Sequence, residues 1–282
     1  LLINGKNGTF SEQGTAAGVA VGTDGNATGS MGVDIATPFN DGRVTIAVGC
    51  FAGQELSLFE AQAANAPGDM LFDNRKREAG IADPTHAMTT FGLAFADVDL
   101  DGWPDLLVLN GHIDADPSLH VSGGQSVPYR QKPQLFQNRH DGTFRDVAES
   151  AGIATPLIGR GLAVGDYDND GRPDLLVFEN GGPARLWHNE TKPVGSWLGV
   201  ELFGSKSPRD GTGAVVTLSG PGWTQSRFAT TARSYLSACD PRLHFGLGPQ
   251  KVEQLTVRWP SGKVTTLASP PVNRYLKVEE GR

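Results

Sequence analysis

Two nine-residue stretches hold the residues of this chain that could do chemistry. In Asp166-Tyr-Asp-Asn-Asp-Gly-Arg-Pro-Asp174 the carboxylates stand at positions 1, 3, 5 and 9. Asp97-Val-Asp-Leu-Asp-Gly-Trp-Pro-Asp105, 69 residues earlier, repeats the spacing, the Gly, the Pro and the exit into Leu-Leu-Val. Alternate acids let a short loop turn its oxygens inward on one hard cation, and Ca²⁺ takes roughly six to eight of them. Asp97, Asp99, Asp101 and Asp105 would ligate one Ca²⁺, and Asp166, Asp168, Asp170 and Asp174 a second. The backbone carbonyls of Trp103 and Arg172 would add the seventh-position ligands. Gly102 and Gly171 permit the positive φ that so tight a turn needs. One acidic loop is ordinarily a solvated turn, whereas two copies with matching flanks favour metal binding. No Glu stands at position 12 and β-prone residues flank both loops, which excludes an EF-hand.

The elements that must position these loops recur. Leu1-Leu-Ile-Asn4, Leu71-Phe-Asp-Asn74, Leu135-Phe-Gln-Asn138 and Leu186-Trp-His-Asn189 read as copies of one strand. Gly5-Lys-Asn-Gly-Thr-Phe10 is echoed by Arg139-His-Asp-Gly-Thr-Phe144, where Asn-Gly and Asp-Gly mark hairpin turns. Ala17-Gly18, Ala79-Gly80 and Ala151-Gly152 then lead into the next unit. The Asn-to-Gly distance is 14 residues in the first and third copies and six in the second, which predicts a lost hairpin tip there. Strands opening at Gly32, Gly92 and Gly161 run into the loop. In the first unit Thr37, Phe39, Asp41 and Thr45 fill the loop positions, so that unit should hold no metal.

A unit of four antiparallel strands cannot bury both its faces alone. Stacking around an axis solves this, and the pattern predicts an all-β chain with about three four-stranded propeller blades over 1–193. The chain opens in the middle of a repeat, so further blades and an export signal are expected upstream. Short strands near 197–203, 214–219, 225–230, 252–259 and 263–267 predict a small β-sandwich-like domain over 194–282.

The pattern Gly-x-Ala-x-x-Asp-x-Asp-x-Asp-Gly-x-x-Asp-Leu resembles the FG-GAP repeats of integrin alpha-subunit β-propellers. The segments Ser234-Tyr-Leu-Ser237, Arg242-Leu-His-Phe-Gly-Leu-Gly248 and Val257-Arg-Trp-Pro-Ser-Gly262 resemble the ASPIC/UnbV domain. With Asn110-Gly-His-Ile113 and Tyr129-Arg-Gln131, they make the chain similar to bacterial relatives of cartilage acidic protein. That resemblance implies a secreted propeller closed by an ASPIC/UnbV domain.

Composition narrows the function. The chain has 282 residues, 37 Gly, 18 Pro and a formal charge of −7, to which the eight loop carboxylates contribute. No basic cluster with interleaved aromatics suggests a nucleic-acid partner, and no apolar run is long enough for a transmembrane segment. Cys50 and Cys239 are the only cysteines and read as a bridge or as two buried thiols. Calcium loops of extracellular modules bind at roughly 10⁻⁴ to 10⁻³ M, which fits a secreted, extracellular or periplasmic location.

No nucleophile elbow, zinc motif or phosphate-cradling loop occurs, and no catalytic residue is assigned. His86, His112, His120, Asp114 and Asp116 gather near one insertion, which reads as a solvated loop or a catalytic pocket. His244 reads as a hydrogen-bonded strand histidine, and Arg233 and Tyr235 as facing either a ligand or the propeller. The expectation is a calcium-stabilised recognition or cell-adhesion module for a protein or carbohydrate, a monomer or part of a larger chain. The alternatives are a secreted lyase, cyclase or hydrolase using the propeller axis or the insertion around His112, and a structural domain of a surface assembly.

Overall fold

Glycines and turn dipeptides cut the chain into strands of two to eight residues in this computed structural model, which describes residues 1–63, 70–116, 118, 120–121 and 124–281. β1 (Leu2–Asn4) and β2 (Phe10–Glu12) form a hairpin. β3 (Val33–Ala36), β4 (Thr45–Val48), β5 (Ser57–Ala61) and β6 (Phe72–Asn74) form an antiparallel four-stranded sheet. β7 (Thr90–Ala96), β8 (Asp105–Asn110), β9 (Gln134–Asn138) and β10 (Phe144–Asp146) form the next. β11 (Gly159–Gly165), β12 (Asp174–Glu179) and β13 (Ala184–Trp187) form a third, with three strands. The chain is all-β with a propeller-like arrangement of small sheets. Among the described residues two sheets of this region carry four strands.

The second unit has kept its hairpin, contrary to the sequence expectation. Residues 72–74 of Leu71-Phe-Asp-Asn74 form the outermost strand, paired to β5, and are not the third strand. Phe72 precedes Gly80 by eight residues, as Phe144 precedes Gly152. The true third strand is β5: Phe59 faces Ile46 as Phe136 faces Leu106. The connection to β6 is simply longer, and residues 64–69 within it lie outside those described.

The strands of the β7–β10 sheet are apolar on both faces because that sheet packs between the other two. Ala36, Ala47 and Leu58 meet Leu93, Phe95 and Phe136 in one core. On the other side of the same sheet, Leu107, Leu109 and Leu135 meet Leu162, Val164 and Leu175. The stack is open at both ends. Leu176, Phe178 and Leu186 occupy the repeat positions of Leu107, Leu109 and Leu135, yet are 38, 47 and 52% exposed. At the opposite end Val33 and Ile35 stand where Leu93 and Phe95 are buried, and are 47 and 39% exposed.

The remaining strands are β14 (Ser196–Phe203), β15 (Val215–Gly220), β16 (Trp223–Phe228), β17 (Ala232–Arg233), β18 (Ser237–Ala238), β19 (Leu243–Gly248), β20 (Gln254–Arg258), β21 (Val264–Ala268) and β22 (Tyr275–Glu279). Sheets β19-β14-β22 and β16-β15-β20-β21 enclose one core that includes Leu198, Val216, Phe245 and Val257. β22, which the sequence reading missed, pairs parallel to β14.

The hairpin β17–β18 leaves this sandwich and touches the first strand of all three sheets. Ser234 exchanges backbone bonds with Val33, its Oγ accepts from Leu93 N at 3.1 Å, and Asp240 N donates to Val164 O at 3.0 Å. Arg233 donates to both oxygens of buried Asp34, at 2.9 and 2.6 Å, and to the Phe95 carbonyl. Tyr235 meets the Phe91 ring edge-on at 4.9 Å. Both residues therefore face the propeller. Cys50 and Cys239 are free buried thiols.

Glu280 ties the end of the sandwich together. Burial opposes its ionisation, but the N–H groups of Ser207, Lys206 and Ser205 and the Ser261 hydroxyl outweigh that and hold it below its ordinary 4.5. A lowered value stabilises the fold above about pH 4.5, and that contribution is lost as pH falls. Urea unfolding of Glu280→Gln, followed from about pH 5 to 2, is expected to show a flatter acid limb than the parent chain. An unchanged slope would place acid sensitivity elsewhere.

Candidate functional site

The two acidic loops are the same object built twice. Asp97 Oδ1 accepts from Asp101 N at 3.1 Å and Oδ2 from Gly102 N at 2.8 Å, and Asp166 repeats both bonds with Asp170 and Gly171 at the same distances. Asp101 and Asp170 each cap the N–H two residues on, at Trp103 and Arg172, at 2.8 Å. Asp105 accepts from Val98 and Asn138 N–H groups, and Asp174 from Tyr167 and Asn189. The anchored carboxylates thus hold the turn while their remaining lone pairs stay available.

Backbone sign carries the shape. Gly102 and Gly171 have φ of 97° and 92°, and the fourth positions, Leu100 and Asn169, both have 62°. The first unit keeps Asn40 at 53° and Gly42 at 79° with one carboxylate, so its loop folds without the acidic set. Asn tolerates that region and Leu ordinarily does not. Leu100 is held there by full burial.

Asp97, Asp99 and Asp101 bring ligand oxygens within 4.8 Å of one another. In the second loop Asp166, Asp168 and Asp174 form one such triplet, and Asp168, Asp170 and His188 another. Asp105 sits at the base of its loop, outside the first triplet. Trp103 stacks on His140 at 4.8 Å, and Arg172 pairs with Asp170. Three residues not foreseen from sequence also reach the loops. Gln137 Nε2 donates to Asp99 Oδ2 at 2.9 Å, His140 Nε2 lies 2.6 Å from Asp101 Oδ2, and His188 Nε2 lies 3.2 Å from Asp168 Oδ2. Their signal was position: Gln137 and His188 both immediately precede the repeat Asn.

Electrostatics say what the cluster would suit. Burial, then the Asp101 charge, lifts Asp97 to about 7. Burial lifts Asp105 well above the carboxylate range and raises Asp174, while burial and Asp99 raise Asp101. Crowded acids at low dielectric suit a compensating cation, and an all-oxygen anionic set suits a hard divalent one.

Both loops also abut the C-terminal sandwich. Gly248 N donates to Leu100 O at 2.9 Å and Val194 N to Asp99 O at 3.0 Å. Tyr275 donates to Asp166 Oδ2 at 2.6 Å, and Arg242 to Asp166 O at 2.7 Å. His244, which burial lowers to about 4 and so keeps neutral, sets Nε2 2.7 Å from Gly171 O.

The pocket readings fare differently. His112 is buried, with Nδ1 2.6 Å from the Thr89 hydroxyl and its ring against Phe51, and burial lowers its pKa. Asp114 and Asp116 are exposed and cap neighbouring N–H groups, so the insertion does not present the histidine and acids to one cleft. The cavity between the first strands of the sheets and Arg227, Arg233 and Arg242 is about 90 Å³, against roughly 300 Å³ for a small ligand site, and a more open one of about 480 Å³ lies against Asp166, Leu176, Leu186 and Arg242.

Two families match the chain: the FG-GAP-like repeat over residues 121–177, and ASPIC and UnbV over 204–282. Cartilage acidic protein 1 of Mus musculus is 25% identical over 295 residues, covering 99% of this chain and 41% of that protein. The Homo sapiens and Xenopus tropicalis proteins of that name are 48% and 44% identical over 54 residues, each 19% of this chain and 8% of the relative. The chain thus spans well under half of these relatives. No helix among the described residues is long and apolar enough to cross a membrane.

Proposed function

We propose that this chain, FG-GAP-like repeats joined to a C-terminal ASPIC/UnbV domain, is a calcium-stabilised extracellular recognition or adhesion module for a protein or carbohydrate ligand. The observation that carries the calcium reading is the bond-for-bond duplication of a loop whose carboxylates converge. Asp97, Asp99, Asp101 and Asp105 hold one ion and Asp166, Asp168, Asp170 and Asp174 the other, with the Trp103 and Arg172 carbonyls as backbone ligands. The ions cancel repulsion between acids and pin the turn joining the first two strands of two sheets. A secreted location suits loops of modest affinity, because free calcium is plentiful outside cells.

Calorimetric titration should count two Ca²⁺ per chain. Asp168→Ala and Asp99→Ala are each expected to remove one, and a stoichiometry unchanged in both variants would reject the assignment. Calcium-independent turnover of a substrate would instead favour an enzyme.

A further inference from the structure

We infer that the C-terminal domain is a working part of both ion sites, so that calcium occupancy and docking of that domain on the repeats strengthen one another. This rests on the calcium reading above and extends it from the loops to what lies against them.

The sandwich touches the groups that set the shape of each turn, and leaves Asp168 and Asp170 clear. On the first loop, Gly248 N holds the carbonyl of Leu100, the residue kept at positive φ. A Cβ on Gly246 would lie 2.0 Å from Asp97 Oδ2 and 2.6 Å from Leu100 Cα, so the strand backbone is pressed against the loop. On the second, His244 holds the Gly171 carbonyl and the Tyr275 hydroxyl holds Asp166 Oδ2. Gly171 has no room for a side chain either, because its Cβ would lie 2.0 Å from the Trp197 ring.

Without a cation, the neighbouring carboxylates repel and favour an opened turn. Opening withdraws the Leu100 and Gly171 carbonyls from Gly248 and His244. An ion that closes the turn therefore restores the docking bonds, and linkage requires docking to raise ion affinity by the same factor.

Amide hydrogen exchange with and without Ca²⁺ reads the coupling. Calcium is expected to slow exchange about tenfold in the loops and also at residues 240–248 and 273–276 of the sandwich. In Asp168→Ala the slowing around His244 and Tyr275 should vanish while that at Gly248 persists. Loops protected by calcium beside unchanged sandwich amides would overturn the coupling and leave the ion sites standing. No response anywhere would remove the ion sites and the coupling together. Reciprocally, Gly246→Ala should weaken calcium at the first loop about tenfold and spare the second. His244→Ala, which adds no atoms, should do the converse, and a calcium affinity at the second loop unchanged from the parent chain would contradict the inference.

Discussion

Chelation with EDTA is expected to lower the thermal midpoint of this chain by about 10 °C. A site held at a hundredfold excess of ligand over its dissociation constant stabilises the native state by about 2.7 kcal/mol, so two such sites contribute about 5 kcal/mol. For a chain of this size each kcal/mol moves the midpoint by about 2 °C. Differential scanning calorimetry in about 10 mM Ca²⁺, a hundredfold over a dissociation constant of roughly 10⁻⁴ M, and after chelation measures the shift. The first unit serves as an internal control, since its loop holds its left-handed positions at Asn40 and Gly42 with a single carboxylate. A midpoint that moves by less than about 2 °C would mean that the acids fold their turns unaided.

The second large effect concerns Arg233→Met, expected to cost about 3–5 kcal/mol in urea unfolding. The guanidinium is the counter-charge of Asp34, a carboxylate with no exposed side-chain surface that also accepts from Ile35 and Phe95 N–H groups. Burial works against the Arg233 charge, and the Asp34 carboxylate more than offsets it, leaving the group above its ordinary value. Truncation strands Asp34 in the interior, and a carboxylate there without its partner is what makes the loss large. Asp34→Asn combined with Arg233→Met should recover part of the stability, because the amide carries no charge. Additive losses in the double variant would show that the two groups act independently.

The acidic loops could be read from sequence because ligand chemistry fixes residue type and spacing at once. Strand order was less legible. Leu71-Phe-Asp-Asn74 mimics the third-strand string closely, and only the pairing of Phe72 with Ala61 shows that it lies one strand further out. The acceptor role of Asp34 is set by a residue 199 positions away, and nothing local at either end announces it. His112 was legible only in part: acids and histidines around a turn suggest a solvated loop or a pocket, while the histidine itself is buried between the Thr89 hydroxyl and the ring of Phe51. Gln137 carries a positional signal, standing just before the repeat Asn, whereas His140 lies in the turn between β9 and β10 and reaches Asp101 across 39 positions, which local spacing does not encode.

The uncovered sheets at the two ends of the stack differ in kind: one presents Leu176, Phe178 and Leu186, the other Val33 and Ile35. A two-fold dimer must bury the same patch on each copy, whereas these patches are complements that the repeat itself joins front to back. Copies joined through them inherit the rotation between successive sheets, so association closes into a ring of fixed size where that rotation completes a turn and grows as an open string where it does not, and light scattering against protein concentration levels off in the first case and keeps rising in the second.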